Sequence, residues 1–169
     1  MNFGYQKSFS CCLVSIAMCP KVVADCLHQS VDLNGSIYDL YSDAINALVK
    51  IQNSANVGGL DEYDKNLLRS EMNLFTEWLI EKHLQIELKQ AQRKDLIKLF
   101  DLLVANAEQQ PKVFVHRDFH SRNLMVTKEN NPGIIDYQDA VYGPISYDLV
   151  SILKDCYIKW PQEEINKWV

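Results

Sequence analysis

The sequence predicts an α+β fold in which a mostly helical lobe carries a small β-hairpin at its edge. From residue 34 onward, apolar residues recur at the three- and four-residue spacing of amphipathic helices. After residue 111 the pattern changes to short apolar triplets separated by Asn, Pro and Gly, which is typical of short strands joined by turns. With 169 residues, the chain has the length of one domain with a buried core.

Helical spacing predicts three helices before the strands. The first carries an apolar face and ends at Gly58-Gly59. Its face consists of Ile37, Leu40, Tyr41, Ala44, Ile45, Leu48 and Ile51. The second helix spans about residues 61–83, and the third spans about residues 92–108.

Three short strands and a polar loop are predicted next. Residues 113–115 form the first strand and lead into the polar loop 116–123. Residues 124–126 and 134–135 flank a turn-rich segment, so these two strands should pair as a hairpin. Because the last strand ends on Asp136, the sequence predicts that Asp118, Asn123 and Asp136 lie in one small region.

A final helix is predicted from Leu149 through Tyr157 to Trp160, and Pro161 should stop or restart it. Asp148 stands at the start of this helix. We expect its carboxylate to accept hydrogen bonds from backbone N–H groups there or in the polar loop, which makes it structural support.

The grouped polar residues suit phosphoryl transfer, which needs a carboxylate to orient and deprotonate a hydroxyl and oxygen ligands for Mg²⁺ on the ATP phosphates. Asp118 is the predicted base, and Asn123 and Asp136 are the predicted metal ligands. The spacing His-x-Asp-x-x-x-x-Asn, followed by a strand-terminal Asp, matches the catalytic loop of kinases. His116, the first residue of that motif, is expected to orient the loop by hydrogen bonding rather than to carry protons.

Three segments carry a family resemblance: residues 116–124 (HRDFHSRNL), 135–140 (IDYQDA) and 143–149 (GPISYDL). Together they resemble the aminoglycoside phosphotransferase and choline kinase family. Tyr137-Gln138 stands where a protein kinase of the eukaryotic type would carry Phe-Gly. The resemblance implies the C-terminal, catalytic lobe of a protein-kinase-like fold, with ATP as co-substrate and Mg²⁺ as cofactor.

Within this family, residues 71–78 (EMNLFTEW), 139–144 (DAVYGP) and 154–157 (KDCY) are similar to bacterial kinases of cell-wall amino sugars. Those kinases phosphorylate the anomeric hydroxyl of N-acetylmuramate or N-acetylglucosamine. The resemblance therefore implies a small sugar-type substrate, either an amino sugar or an aminoglycoside.

The resemblance covers about residues 34–160. Nothing before residue 34 resembles the glycine-rich turn, the strand lysine or the helix glutamate that grip ATP in such enzymes. We therefore expect a catalytic lobe at 34–169, incomplete at its C-terminal end, with the N-terminal ATP lobe missing. An exposed apolar face above the hairpin should then promote dimerisation or contact with a complementing lobe.

Two functional interpretations follow from this partial coverage. In the first, the chain is an ATP-dependent phosphotransferase, and the intact Asp118, Asn123 and Asp136 favour it. In the second, it is a non-catalytic remnant lobe that serves as a binding or interaction module. The absent phosphate-gripping residues favour the second, because electrostatic positioning of the phosphates supplies most of this catalysis.

A zinc hydrolase is a weaker alternative. His116 and His120 are four residues apart, which suits metal ligation on a helix. However, their stretch reads as a loop, and no Glu follows His116 as a zinc protease needs. Arg117 and Arg122 are either solvated or in contact with phosphate, and they are left unassigned.

Composition excludes several classes of protein. The net charge of −5 argues against a nucleic-acid binder, and the five cysteines fit no even disulfide framework. No apolar run reaches the length of a membrane helix. Residues 1–33 loosely resemble a secretory signal peptide but lack a convincing cleavage site, so we leave them unassigned. A cytoplasmic location is expected because an ATP-type site suits a reducing compartment.

Overall fold

A computed structural model of the chain describes residues 37–169. Helices α1 (Ile37–Ser54), α2 (Lys65–Leu74), a π-helix (Phe75–His83) and α3 (Gln90–Glu108) come first. Strands β1 (Lys112–Val115), β2 (Leu124–Met125), β3 (Gly133–Ile134) and β4 (Val141–Pro144) follow, with a 3-10 turn at Ser121–Asn123. Helices α4 (Tyr147–Leu153) and α5 (Gln162–Trp168) complete the described part. The mostly helical α+β class is confirmed, whereas the unassigned segment 1–33 lies outside the described residues.

The apolar face predicted for the first helix is buried at Tyr41, Ala44 and Leu48. Helix α1 nevertheless ends at Ser54 and not at the glycine pair. Asn56 turns the chain earlier, because its side-chain oxygen accepts a hydrogen bond from the Gly58 N–H at 2.9 Å.

The second predicted helix begins later than the sequence indicated and changes its winding. Tyr63 donates its backbone N–H to Tyr142 at 2.9 Å, so the chain before α2 is extended along β4. Asp64 then caps α2, since its carboxylate accepts a hydrogen bond from Leu67 N at 2.8 Å. After Leu74 the helix continues as the π-helix, a winding that a 3.6-residue pattern does not reveal.

The four strands form two antiparallel pairs. Strands β2 and β3 pair through Leu124 with Ile134 and Met125 with Gly133, which confirms the predicted hairpin. Strand β1 pairs with β4, a strand that the sequence analysis did not identify. The two pairs bracket the polar loop 116–123, because β1 enters it and β2 leaves it.

Two buried clusters lie on either side of that loop. One joins α1, α4 and α5 and contains Phe119, which has no exposed surface. The other joins α2, α3, β1 and β4 and contains Val115, which is also fully buried. The chain is therefore fixed on both sides of Asp118. Val115, just before the polar loop, belongs to one cluster, and Phe119, at the middle of the loop, belongs to the other.

The predicted extension of the last helix to Trp160 is wrong, because α4 ends at Leu153. The carboxylate of Asp155 accepts hydrogen bonds from Tyr157 N at 2.8 Å and Ser121 N at 2.9 Å. Such side-chain bonds compete with the helical pattern. Pro161 stands directly before α5, so its predicted role in restarting a helix is confirmed.

Replacing Gly143 by Ala should lower the free energy of unfolding by about 1–3 kcal/mol, the usual cost of overpacking a core. A Cβ atom at this position would lie 2.8 Å from Tyr63 Cβ, and Tyr63 is 1% exposed and cannot move aside. Urea denaturation measures the loss. Gly58→Ala is the control, since its Cβ would meet only the side chain of Asn56. Equal losses in both variants would contradict this reading.

Candidate active site

A fully buried carboxylate holds the start of the polar loop. Asp148 has no exposed surface and accepts hydrogen bonds from His116 N at 2.7 Å and from Arg117 N at 3.1 Å. Burial raises the pKa of Asp148 to about 6, while these two backbone bonds act in the opposite direction. The predicted supporting role of Asp148 is therefore confirmed, and its partners are in the loop.

Asp118 lies beside a cleft of about 680 Å³ between α2, α3 and α4. Its side chain is half-buried. Burial raises the pKa of Asp118, and the charges of His120 and Arg117 act against that increase. A base gains from a pKa nearer the working pH, so this environment suits the predicted role.

Asn123 connects Asp118 to the segment that ends in Asp136. Its side-chain N–H donates to the backbone carbonyl of Asp118 at 2.9 Å, and its backbone carbonyl accepts a hydrogen bond from Ile135 N at 3.1 Å. The side-chain oxygen of Asn123 is thus the atom left to serve as a ligand. The structure brings Asp118, Asn123 and Asp136 into one region, while their roles in the reaction stay predictions.

Asp136 has a backbone conformation that residues other than glycine rarely adopt. Its φ of 69° is in the left-handed region, and such outliers cluster at functional sites. Its side chain is exposed, and Gln138 donates a hydrogen bond to one of its carboxylate oxygens. The donor set of one carboxylate and one amide oxygen suits Mg²⁺.

The His116 side chain is 2% exposed and packs edge-to-face against Phe119, with 5.9 Å between ring centroids. Burial lowers the pKa of His116, which favours the neutral imidazole. Its ring does not border the cleft. Both ring nitrogens of His116 are buried without a hydrogen-bond partner among the described residues, so its expected orienting role through hydrogen bonding stays a prediction.

A buried ion pair on the cleft wall escaped the sequence analysis. The guanidinium of Arg117 contacts Glu71 of α2 at 2.5 Å between Nη2 and Oε1, and neither side chain is more than 10% exposed. Tyr63 donates its hydroxyl hydrogen to the other oxygen of Glu71. Arg117 is therefore neither solvated nor free to reach a phosphate. The position of Glu71, three residues after the buried Leu68, indicates a buried carboxylate on α2 but does not identify its partner.

The hairpin exposes several large apolar side chains, at relative exposures of 39–65%. They are Met125, Val126, Ile135 and Tyr137. These exposed side chains lie close in sequence to Asp136 or on the hairpin itself, where the sequence analysis expected an exposed apolar face. Dimerisation or a complementing lobe at this surface stays a prediction.

Residues 37–169 contain no group of three His, Cys, Asp or Glu side chains placed to bind a metal ion. The zinc alternative needs such a group around His116 and His120. In the same part of the chain, no helix combines the length and the apolar character needed to cross a membrane.

Comparison with known proteins places these features in a family. Residues 18–168 match the Phosphotransferase enzyme family. An N-acetylmuramate/N-acetylglucosamine kinase of Neisseria meningitidis is 48% identical over 124 residues, which is 73% of this chain and 37% of that protein. Kinases of the same name from Pseudomonas putida and Pseudomonas aeruginosa are 43% and 40% identical, over 77% and 78% of this chain. These alignments cover 38% and 39% of the two Pseudomonas proteins, so the chain spans less than two fifths of these relatives.

Proposed function

Since this chain belongs to the phosphotransferase enzyme family, we propose that it transfers phosphate from ATP to a hydroxyl of a small sugar-type substrate. The observation that carries the proposal is the Asp118 carboxylate at the wall of a cleft of about 680 Å³. A cleft of this size is within the range of small-molecule sites. The connection from Asp118 through Asn123 to the Asp136 segment adds the second half of a phosphoryl-transfer site.

Asp118 orients the acceptor hydroxyl and accepts its proton during the transfer. Asn123 and Asp136 would hold Mg²⁺, which supplies neutralisation of the phosphate charge when it is bound. Asp148 keeps the backbone of the loop in place, because it holds the N–H groups of the two residues that precede the base. His116 contributes through that same anchored backbone.

We propose an amino sugar as the substrate, with an aminoglycoside as the alternative. The names of the relatives favour N-acetylmuramate or N-acetylglucosamine. The cleft combines apolar surface from Met72 and Phe75 with polar groups of Gln110 and Ser146. This mixture suits a sugar ring that carries both hydroxyl and acetyl groups.

The cytoplasm is the proposed compartment, because the reaction needs ATP. The apolar surface at the hairpin supports contact with a second copy of the chain or with a complementing lobe.

Calorimetric titration of Mg-ATP into the purified chain tests the metal assignment. We expect binding that weakens by about tenfold or more in Asp136→Ala and Asn123→Ala, because each removes an oxygen ligand. Asp95→Ala is the control, since Asp95 pairs with Lys98 on the surface of α3. Binding of Mg-ATP to Asp136→Ala with unchanged affinity would exclude Asp136 as a ligand.

Separate titrations with N-acetylglucosamine and N-acetylmuramate test the substrate class. Binding of a sugar together with Mg-ATP supports the phosphotransferase. A chain that binds a sugar but does not bind Mg-ATP would instead favour the non-catalytic binding module.

The value of kcat/KM for the sugar should fall on the acid side of its pH profile. The midpoint of this decrease should lie above pH 3.8, the ordinary pKa of an aspartate. Only the ionised Asp118 accepts a proton, and burial raises its pKa, so the rate should rise as pH increases through that raised value. Initial rates measured at several pH values with saturating Mg-ATP give this midpoint. A rate that stays constant down to pH 3.8 would contradict the assignment of Asp118 as base.

A further inference from the structure

The ion pair of Glu71 and Arg117 connects two segments of the cleft wall, α2 and the polar loop, and reaches a third segment near Asp136. Glu71 belongs to α2, and Arg117 immediately precedes the proposed base in the polar loop. The Arg117 guanidinium also donates to the backbone carbonyl of Asp139 at 3.4 Å. Asp139 follows the proposed metal ligand Asp136 by three residues. One guanidinium therefore joins the base loop to the segment that carries the metal ligand.

Glu71 in turn fixes that guanidinium. Its two carboxylate oxygens are divided between Arg117 and the hydroxyl of Tyr63. Tyr63 is 1% exposed, and its ring lies 5.8 Å from the guanidinium carbon. The backbone φ of Arg117 is 73°, so the loop is strained at this residue and needs an outside restraint.

Stability alone is a poor explanation for this pair. The desolvation of two charges costs much of the free energy that their attraction contributes. Replacement of a buried ion pair by well-packed apolar residues is therefore often neutral or stabilising. A planar guanidinium, by contrast, directs several N–H donors in fixed directions. The pair is better explained by the geometry that it imposes on the two active segments.

We propose that Glu71 is a positioning residue which, through Arg117, sets the placement of Asp118 relative to the Asp136 segment. The catalytic part of this inference rests on the proposed function, and the structural part does not. The hydrogen bonds of Glu71 go to Arg117 and Tyr63, and none of its hydrogen bonds goes to Asp118, Asn123 or Asp136.

Hydrogen–deuterium exchange of the full chain tests the structural part without any need for activity. We expect Glu71→Gln to accelerate exchange about tenfold or more in residues 117–123 and 138–140, and to leave the amides of α1 unchanged. Glu81→Gln is the matched control, because Glu81 also lies 2.7 Å from an arginine, Arg93, but away from the cleft. It should leave the loop unchanged.

Two outcomes of that experiment would overturn the proposal. Unchanged exchange in both segments would mean that Glu71 does not restrain them. Faster exchange throughout the chain, α1 included, would mean that Glu71 is only part of the general core. If Glu71→Gln does not fold, Arg117→Lys takes its place, since lysine keeps the charge but cannot reach both partners in the same geometry. The same local acceleration is then expected.

A kinetic cycle tests the catalytic part. Glu71→Gln should lower kcat about 10- to 100-fold and leave the KM of the sugar unchanged, as expected for a misplaced base. In an Arg117→Met background, the same change should have little further effect, because Glu71 acts through Arg117. A full effect in both backgrounds, or a rise in KM alone, would indicate direct contact with the sugar and overturn the proposal. A wild-type chain without transferase activity would count against the proposed function, while the exchange experiment would still decide the inference.

Discussion

Asp118→Asn is expected to lower kcat by about 10²- to 10⁴-fold, the range typical for loss of a positioned general base. Asparagine has the shape of aspartate and keeps the contacts of the loop, but its amide does not accept the proton of the attacking hydroxyl. The backbone carbonyl of residue 118, which accepts the hydrogen bond from Asn123, is unaffected by the change. The loss should therefore be confined to the chemical step.

Two further measurements separate this loss from a general defect. Calorimetry should show sugar and Mg-ATP affinities close to those of the wild type. Urea denaturation should show no loss of stability, because burial already disfavours the ionised form of Asp118, as the raised pKa indicates. Asp95→Asn, on the surface of α3, is the control for the substitution. If Asp118→Asn retained full transferase activity, the base would have to be another residue.

Asp148→Ala should lower the free energy of unfolding by about 2–6 kcal/mol. The change leaves the backbone N–H groups of His116 and Arg117 without their acceptor, and each buried donor left unsatisfied costs about 1–3 kcal/mol. Domains are stable by only about 5–15 kcal/mol in total, so the variant should be close to unfolding.

Chemical denaturation, followed by circular dichroism, measures that loss. The exposed carboxylate of Asp139 provides the comparison, and Asp139→Ala should stay within about 0.5 kcal/mol of the wild type, as surface changes usually do. A similarly small effect of Asp148→Ala would mean that the loop keeps its shape without this anchor. In that case the supporting role of Asp148 would be wrong.

The parts of the site that the sequence predicted are those encoded locally. The polar loop and the β2–β3 hairpin lie within one short stretch, and turn residues and apolar triplets identify them directly. Asp118 and Asn123 are five residues apart in the same loop, so their proximity needs no knowledge of the tertiary structure.

The features that escaped prediction depend on distant partners. Strand β4 exists because it pairs with β1, whose Val113 lies 30 residues before its partner Gly143. Glu71 and Arg117 are 46 residues apart, and no periodic pattern connects them. The end of α4 depends on Asp155, whose carboxylate holds Ser121 of the polar loop as well as its own chain. Each of these contacts is tertiary, and a single sequence does not display it.

Because the polar loop is fixed in two separate buried clusters, amino-acid substitutions in those clusters should affect the proposed base. Val115 and Phe119 transmit the packing of both clusters to the residue between them, Asp118. A substitution deep in either cluster, far from the cleft, should therefore change the orientation of the Asp118 carboxylate slightly. Exposed cleft residues outside both clusters, such as Leu103 and Val150, are in contrast free to diverge toward new acceptors without disturbing that alignment. Substitutions in the two clusters should thus change the rate of the chemical step, whereas substitutions at the exposed cleft positions should change which acceptor is bound.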